Sequence, residues 1–274
     1  NDKERIESFY IDYYTLKADY MRDNLGMEST FKEIIKIIDF VESKIQTDNG
    51  KISFYSFISH EILMKTEYRE IYLQKALILA NNSKDLIQKS YILSSLGYIY
   101  LTKGDYEKAL DFHIKSRKIC EEIDFRHELG MVHKNLGDLY ITKLDYKKAL
   151  YEYKKSIKYK EEFPMAKTIN NWSNIHIVYA TLAFVYYKIG DISKSEKFLT
   201  IIQIFFKENP NFSQKDLFYF VEFLENCVNG YQKRDDKIIN TLNEIYLKIK
   251  AEFIDSVYCI IMKNELEEIE KNTE

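Results

Sequence analysis

Amphipathic stretches alternate with short polar corners along most of the chain, which is the pattern of helices joined by tight turns. The polar corners and possible N-cap residues set the predicted limits of each helix. The predicted helices include Leu86 to Lys103, His127 to Lys143, Ser213 to Tyr231, and one from Asp235 or Asp236 to Lys250.

One cluster of residues occurs twice, forty residues apart. The first copy is Leu96, Gly97, Tyr100, Gly104-Asp105 and Ala109, and the second is Leu136, Gly137, Tyr140, Leu144-Asp145 and Ala149. A looser third copy, Leu182, Ala183, Tyr186 and Gly190-Asp191, follows after forty-six residues. Neither helix of such a pair can bury its apolar face until the next pair stacks on it. The pattern predicts an all-α fold, a right-handed α-solenoid of helix pairs.

The forty-residue register extends beyond the clear copies and predicts a single superhelical domain over residues 1–274. The expected repeats lie at roughly 10–45, 50–82, 86–124, 127–162, 174–208 and 213–250, with a capping helix at 252–271. The chain begins at Asn1 without an initiator Met, so it is either processed or part of something longer. A missing N-terminal effector domain is therefore one expectation.

Composition narrows the class of protein. Two prolines and eight glycines leave little room for turn-rich β architecture. The 43 acidic and 40 basic residues are finely mixed, so we expect no direct binding to nucleic acid and no membrane association. The longest apolar run, 175–187, is shorter than the roughly 20 residues of a membrane span. Three scattered cysteines inside apolar helical patterns indicate a reducing cytoplasm.

Motifs for catalysis or metal binding are missing from the sequence. His127 and His133 are six residues apart, which puts them on different faces of a helix, and no Cys-x-x-Cys, His-Glu-x-x-His or Gly-rich phosphate loop occurs. We therefore expect no enzyme activity, no metal and no cofactor. A lysine-rich stretch is interpreted as a solvated face because glutamates interrupt it; its lysines are Lys147, Lys148, Lys154, Lys155, Lys158 and Lys160.

The repeated cluster resembles the tetratricopeptide repeat, whose signature places Leu-Gly-x-x-Tyr on the first helix and Ala-x-x-x-Phe/Tyr on the second. The second copy matches it with Leu136, Gly137, Tyr140, Ala149 and Tyr153. In the first copy, His113 stands where an aromatic residue is usual. The period exceeds the usual ~34 residues because the helices are longer.

Such lengthened repeats look like those of the cytoplasmic peptide-pheromone receptors of Gram-positive bacteria, the Rap, NprR, PlcR and AimR group. Members of that group bind a short peptide inside the superhelix, and many carry an N-terminal helix-turn-helix domain. The resemblance implies a non-catalytic cytoplasmic regulator, acting in quorum sensing and transcription regulation. It rests on repeat length, on the number of helix pairs and on composition.

First-helix residues that point away from the second helix would line the groove of such a stack. Aromatic, amide and charged groups there suit an extended peptide. The candidate peptide-binding residues are Tyr98, Lys134, Asn135, Asp138, Asn171, Asn174 and Phe184. Of these, Lys134 is the candidate for a peptide carboxylate. The alternative is structural: Asn135 would face a neighbouring repeat, and Asn171 and Asn174 would cap a helix or fill a loop.

Two further partners are considered. The chain could be a general scaffold that docks a folded protein, with no small ligand. A homodimer through the C-terminal repeats is also expected, because the helix over 214–225 is rich in phenylalanine. Binding of chaperone tails is disfavoured, because Asp138 stands where that class has a central Asn, and Ala180 and Phe184 stand where it has cations.

Overall fold

The structure is a computed structural model that describes residues 7–14, 17, 27–59, 66–162, 175–212, 214–230 and 236–271. All regular secondary structure in these residues is α-helix, which confirms the predicted all-α class. In the part of the chain described, none of the helices combines the length and apolar character needed to cross a membrane. Two compact units divide the chain, Asn1–Ile99 and Tyr100–Glu274, and are called unit 1 and unit 2.

Helices follow one another along the chain, and several of them are joined by short corners within the described residues. Residues 7–14 are helical, and the next helices are α1 (Met27–Lys44), α2 (Asp48–Ile58), α3 (Thr66–Asn82) and α4 (Leu86–Thr102). Unit 2 continues with α5 (Tyr106–Glu122), α6 (Arg126–Thr142), α7 (Tyr146–Glu161), α8 (Ile175–Lys188), α9 (Ile192–Glu208), α10 (Lys215–Asn229), α11 (Asp236–Glu252) and α12 (Val257–Lys271). The predicted helices lie close to α4, α6, α10 and α11.

In unit 1, α2 packs against α3, and the first helical segment is fastened to the start of α2. Glu7 Oε1 accepts hydrogen bonds from the backbone N–H groups of Gln46 and Thr47, at 2.9 and 2.8 Å. The rings of Tyr14 and Phe54 meet edge to face with their centroids 5.6 Å apart. The carboxylate of Glu7 thus satisfies backbone donors that a helix start leaves open.

Three corners of unit 2 have the same geometry. Gly104 and Gly190 both have a φ of 80°, in the left-handed region where a side chain is strained. The residue after each one is an aspartate, whose N–H donates back to the carbonyl of a helical tyrosine five positions earlier. At the middle corner Leu144 takes the glycine position, with a φ of 59°.

Each corner aspartate also starts the next helix. The carboxylates of Asp105, Asp145 and Asp191 accept a hydrogen bond from the backbone N–H three residues later, and so cap α5, α7 and α9. At the first corner, Lys108 Nζ forms an ion pair of 2.8 Å with Asp105 and lies 5.0 Å from the centroid of the Tyr100 ring. These contacts at the corner are all between residues close in the sequence.

At the centre of unit 2, α6 is covered on nearly every side. It contacts α5, α7, α8 and α12, and most of its residues are buried although many of them are polar. Gly137 lets α7 approach, because a Cβ added there would lie 2.6 Å from Cε1 of Tyr153. Polar side chains of α6 are consequently held inside the protein, where each of them needs a partner.

The last helix, α12, packs back onto earlier helices. It contacts α6, α10 and α11, and its Glu265 reaches α8. Tyr187 donates a hydrogen bond of 2.9 Å to Glu265, and the ammonium group of Lys188 forms ion pairs with Glu265 and Glu268. Helix α12 is thus held by a buried polar contact as well as by apolar packing.

Candidate ligand-binding site

The candidate site lies on α6, where three of the predicted binding residues follow one another. Lys134, Asn135 and Asp138 are all buried, and Lys134 is 8% exposed. Lys134 Nζ lies 2.6 Å from Asp138 Oδ2, an ion pair across one helical turn. The other carboxylate oxygen of Asp138 accepts a hydrogen bond of 2.6 Å from the hydroxyl of Tyr153 on α7.

Asp138 is the best enclosed member of this group, with 0% exposure. Burial raises the pKa of Tyr153 well above its usual value, and the adjacent Asp138 adds to this effect, so the phenol keeps its proton. Because a protonated phenol and an ammonium both face it, Asp138 has the partners that a buried carboxylate requires.

Charged and titratable groups on other helices lie near enough to Lys134 for its charge to affect them. They are His113 of α5, Lys160 of α7 and Asp216 of α10, and each one is affected electrostatically by the Lys134 ammonium. Together with Glu128, Asp138 and Tyr153 they form what we call the Lys134 cluster. Its members come from four helices, so the cluster exists only when those helices are packed.

His113 occupies the aromatic position of the first repeat. Its side chain is fully buried, and among the described residues neither ring nitrogen has a hydrogen-bond partner. Burial lowers the pKa of His113 to about 3, and the positive charge of Lys134 acts in the same direction. The ring is therefore neutral at physiological pH and fills the space that an aromatic side chain fills elsewhere.

Lys160 was predicted to lie on a solvated face, and the structure shows that this interpretation was wrong. Its residue is 4% exposed, whereas Lys147, Lys154 and Lys158 of the same helix are exposed. The Lys160 stem passes over α6 at Gly130, where an added Cβ would lie 3.2 Å from Lys160 Cγ. A glycine on the neighbouring helix thus makes room for a buried lysine.

Asp216 belongs to the cluster through α10. Burial raises the pKa of Asp216, which favours its neutral form, while a 2.8 Å hydrogen bond from Ser256 Oγ opposes that shift. The residue before α12 is therefore connected to the start of α10. The cluster includes groups that carry charge and groups that burial keeps from carrying it.

A second buried polar pair lies beside the cluster. His133 Nδ1 is 2.6 Å from Glu152 Oε2, and the His133 ring stacks on Tyr159 with centroids 5.5 Å apart. His127 is on another side of α6, as its spacing from His133 predicted, and burial lowers its pKa. In the described part of the chain no group of three or more His, Cys, Asp or Glu side chains is arranged to hold a metal ion.

Phe184 is separate from the Lys134–Asp138 pair. It is 2% exposed, and its ring lies 5.9 Å from that of Phe220 on α10 and 6.1 Å from that of Tyr187. It also lines a small crevice with Ile261 and Glu265 of α12. Because α10 and α12 cover this ring, a ligand would reach it only if those helices moved.

The remaining predicted binding residues lie elsewhere. Tyr98 is half-buried on α4 and belongs to unit 1, whereas the Lys134 cluster belongs to unit 2. Asn171 and Asn174 lie outside the described residues. As peptide contacts, all seven residues stay predictions.

The Phe-rich segment 214–225 was the reason for expecting a dimer surface there. Phe220 and Phe223 are fully buried inside unit 2, and Phe218 stacks on Phe206 with centroids 4.0 Å apart. These rings pack α10 against its neighbours within the chain. The dimer stays a prediction, but these buried rings do not support it.

Sequence reasoning missed Lys160, Asp216 and Ser256 as parts of a cluster. Tyr153 carried a usable signal, because the repeat signature places it opposite Gly137, and Asp138 is the next residue of α6. Lys160 carried a weaker one: it lies seven residues after Tyr153, on the same helix face. Asp216 and Ser256 carried none, because their closeness depends on how α12 returns to the stack.

Comparison with known sequences agrees with the architecture. Residues 88–162 match the sequence profile described as "Tetratricopeptide repeat". A search of proteins with curated functions gave no match. Tetratricopeptide repeats form solenoids with extended binding surfaces, which makes this a protein-interaction fold.

Solved structures with a similar fold extend the comparison beyond the matched repeats. The apo form of RapI is 17% identical, with a TM-score of 0.64 over 95% of this chain and 99% of that one. Aspartyl phosphate phosphatase F from Bacillus subtilis is 16% identical, with a TM-score of 0.66 over 94% of this chain and 70% of that one. BtubC from P. vanneervenii is 15% identical, with a TM-score of 0.63 over 77% of this chain and 84% of that one. The predicted resemblance to the Rap group is confirmed as a resemblance of fold.

Proposed function

We propose that this chain is a non-catalytic tetratricopeptide module that binds a short peptide in unit 2 and thereby regulates a partner protein or transcription in the cytoplasm. The observation that supports it most directly is the buried ion pair of Lys134 and Asp138, with Asn135 beside it on the same helix. A buried ion pair is seldom the most effective way to stabilise a core, because both ions lose hydration. A role in recognising a ligand gives a reason for keeping it.

The chemistry of the site fits an extended peptide. A peptide backbone offers N–H and C=O groups that an amide such as Asn135 can pair with, and its carboxylates can pair with Lys134. The Lys134 cluster combines side chains from α5, α6, α7 and α10, so a ligand bound there would change how these helices pack. Such a ligand would shift the solenoid between two arrangements by its differential affinity for them.

Native mass spectrometry of the chain purified from its own host tests this proposal. We expect a co-purifying peptide mass that disappears in Asn135→Ala and in the double variant Lys134→Met/Asp138→Asn. The double variant removes both charges together, so neither partner is left as an unpaired buried ion. Lys154→Met, on the exposed side of α7, is the matched control and should keep the peptide.

The alternative is a scaffold that docks a folded protein, with no small ligand. In that case the chain would carry no defined peptide mass, and it would capture one protein partner equally well with Asn135 or Ala at position 135. That result would contradict the peptide proposal.

A further inference from the structure

The outer face of α7 carries most of the lysines of this helix. Lys147, Lys154 and Lys158 are exposed, and Lys155 is half-buried beside them. These residues are three, four or seven positions apart, so they follow one stripe along the helix. Tyr151 lies in the middle of this stripe, and 58% of it is exposed. We call these five residues the α7 lysine face.

Glutamate does not neutralise this face, although Glu152 lies within it in the sequence. Glu152 is 6% exposed, because it points towards α6 and pairs with His133 there at 2.6 Å. In the part of the chain that the structure describes, none of the four lysines of the face forms an ion pair, whereas Lys148 beside them pairs with Asp145 at 2.8 Å. Between Asp145 and Glu161, the exposed charged side chains of α7 are therefore all positive.

The corresponding helix of the preceding repeat lacks such a face. Forty residues earlier, α5 has Glu107 where α7 has Lys147, and Asp111 where α7 has Tyr151. Asp111 pairs with Lys115 at 2.6 Å, one turn further along the exposed side of α5. The basic face is thus a feature of α7 and not of the repeat.

Unpaired lysines on one helix face are unfavourable in the free protein. Like charges three and four positions apart repel each other, and Lys147 lies in the first turn, where the helix dipole disfavours a cation. Tyr151 adds an exposed ring, and the Nζ atom of Lys155 is 5.7 Å from its centroid. Carboxylates placed along this face would remove the repulsion, and an apolar side chain would cover the ring.

We infer that the α7 lysine face is a docking surface for an acidic segment of a partner protein, with an apolar or aromatic side chain between its carboxylates. From Lys147 to Lys158 the face is about 16 Å long, which matches a short helix of the partner. Nucleic acid is a poorer fit, because the chain has a net charge of −3 and a long polyanion would extend past the four lysines. The inference goes beyond the proposed function and does not depend on a peptide at the Lys134 cluster.

Selection from a peptide library tests this inference without knowledge of the partner. A library of random dodecapeptides displayed on phage is selected on the native protein, and the peptides recovered are synthesised and titrated by fluorescence anisotropy. We expect a class of binders rich in Asp and Glu, with one apolar or aromatic residue. Their affinity should fall as NaCl is added, because salt screens exposed charges.

Charge reversal at two equivalent pairs of lysines locates the binding. Lys155→Glu/Lys158→Glu should weaken the acidic binders roughly tenfold, because each change replaces an attraction by a repulsion. Lys115→Glu/Lys118→Glu makes the same change at the equivalent positions of α5, and it should alter the affinity by less than about twofold. Tyr151→Ala should weaken binding at low and at high salt alike, because the ring contributes apolar contact. Circular dichroism verifies that each variant is folded.

Equal losses in the two double variants would overturn the inference, because only the net charge of the protein would then matter. A selection that yields no acidic peptides would also overturn it. The same holds if random-sequence duplex DNA or phosphatidylserine vesicles bind as tightly as the peptides and depend equally on Lys155 and Lys158. The proposed function is tested separately, because its peptide should be lost in Asn135→Ala and kept in Lys155→Glu/Lys158→Glu.

Discussion

Tyr153 of α7 donates a hydrogen bond of 2.6 Å to Asp138 of α6, and its ring lies directly over the bare backbone of Gly137. The glycine and the hydrogen bond belong to one contact, because a longer distance between the helices would break the bond. The tetratricopeptide signature pairs glycine with a large aromatic residue, and here the pairing also sets the position of a buried carboxylate.

Gly137→Ala should destabilise the protein. The new Cβ would lie 2.6 Å from the Tyr153 ring, and such overpacking costs about 1–3 kcal/mol, against a gain of about 1 kcal/mol in helix propensity. Urea unfolding should therefore show a net loss of about 1 kcal/mol. Gly130→Ala is the control: its nearest neighbour is the flexible stem of Lys160 at 3.2 Å, so the gain of about 1 kcal/mol in helix propensity should offset the small strain and we expect no net loss. Equal losses in the two variants would contradict this account.

Leu144→Gly should stabilise the protein. Leu144 has a φ of 59°, which costs a residue with a side chain about 1–2 kcal/mol, and 55% of the residue is exposed. After the entropy cost of a glycine in the unfolded chain, we expect a gain of about 0.5–1 kcal/mol in urea unfolding. Leu144→Ala removes nearly the same side chain but keeps the Cβ, so it should bring no gain.

His113→Phe should make the protein more stable in acid. The pKa of His113 is about 3 in the folded state and about 6.5 when unfolded, so between these values the unfolded chain binds more protons. Stability is therefore lost as pH falls from 6.5 towards 3, at up to about 1.4 kcal/mol per pH unit. Urea unfolding at pH 7, 6 and 5 should show a shallower loss in His113→Phe. Parallel curves for the two proteins would exclude this effect.

Lys160→Met should remove a rise in stability on the alkaline side. The pKa of Lys160 is about 7 when folded and about 10.4 when unfolded, so the unfolded chain binds more protons between these values and stability increases with pH. From pH 7 to pH 9 this amounts to at most about 2.7 kcal/mol. We expect the increase in the native protein and in Lys154→Met, and a flatter curve in Lys160→Met. If Lys160→Met showed the same increase of stability with pH as the native protein, Lys160 would have to be exposed to solvent.

Glu265→Gln should loosen α12. The change removes the carboxylate that pairs with Lys188 and accepts from Tyr187, and breaking a buried ion pair costs about 3 kcal/mol. Burial lowers the pKa of Lys188, but Glu265 and Glu268 outweigh it and raise the pKa overall, so the lysine stays charged. Hydrogen exchange should show faster exchange in 257–271. Glu267→Gln, whose ion pair with Lys263 is exposed, should have little effect.

The fold could be predicted from the sequence because its determinants are local. Gly104-Asp105, Leu144-Asp145 and Gly190-Asp191 mark corners whose hydrogen bonds close within a few residues, and the flanking helices follow from periodicity. The Lys134–Asp138 pair was also accessible, since residues four apart share a helix face. In these cases the residues that form the sequence pattern are the same residues that make the structural contacts.

The rest of the site depends on contacts between distant residues. Lys160 is buried because α6 has a glycine opposite it, whereas Lys154 and Lys158 lie on the same lysine-rich helix and are exposed. Phe184 is covered because α12 packs back against α8. The residues near Phe184 in the sequence do not indicate that α12 will pack there. Periodicity indicates which face of a helix is apolar, but it does not indicate which helix will cover that face.

The contact between α8 and α12 also has a consequence for the order of assembly. Glu265 bonds to residues 77 and 78 positions before it, whereas each corner joins residues that leave the ribosome almost together. During synthesis, α5 to α8 can pair while α12 has yet to be made, so Phe184 and its apolar neighbours remain without their final cover. The nascent chain therefore passes through a stage in which these apolar side chains are exposed. Packing of α12 against α8 then buries them and protects the chain from aggregation.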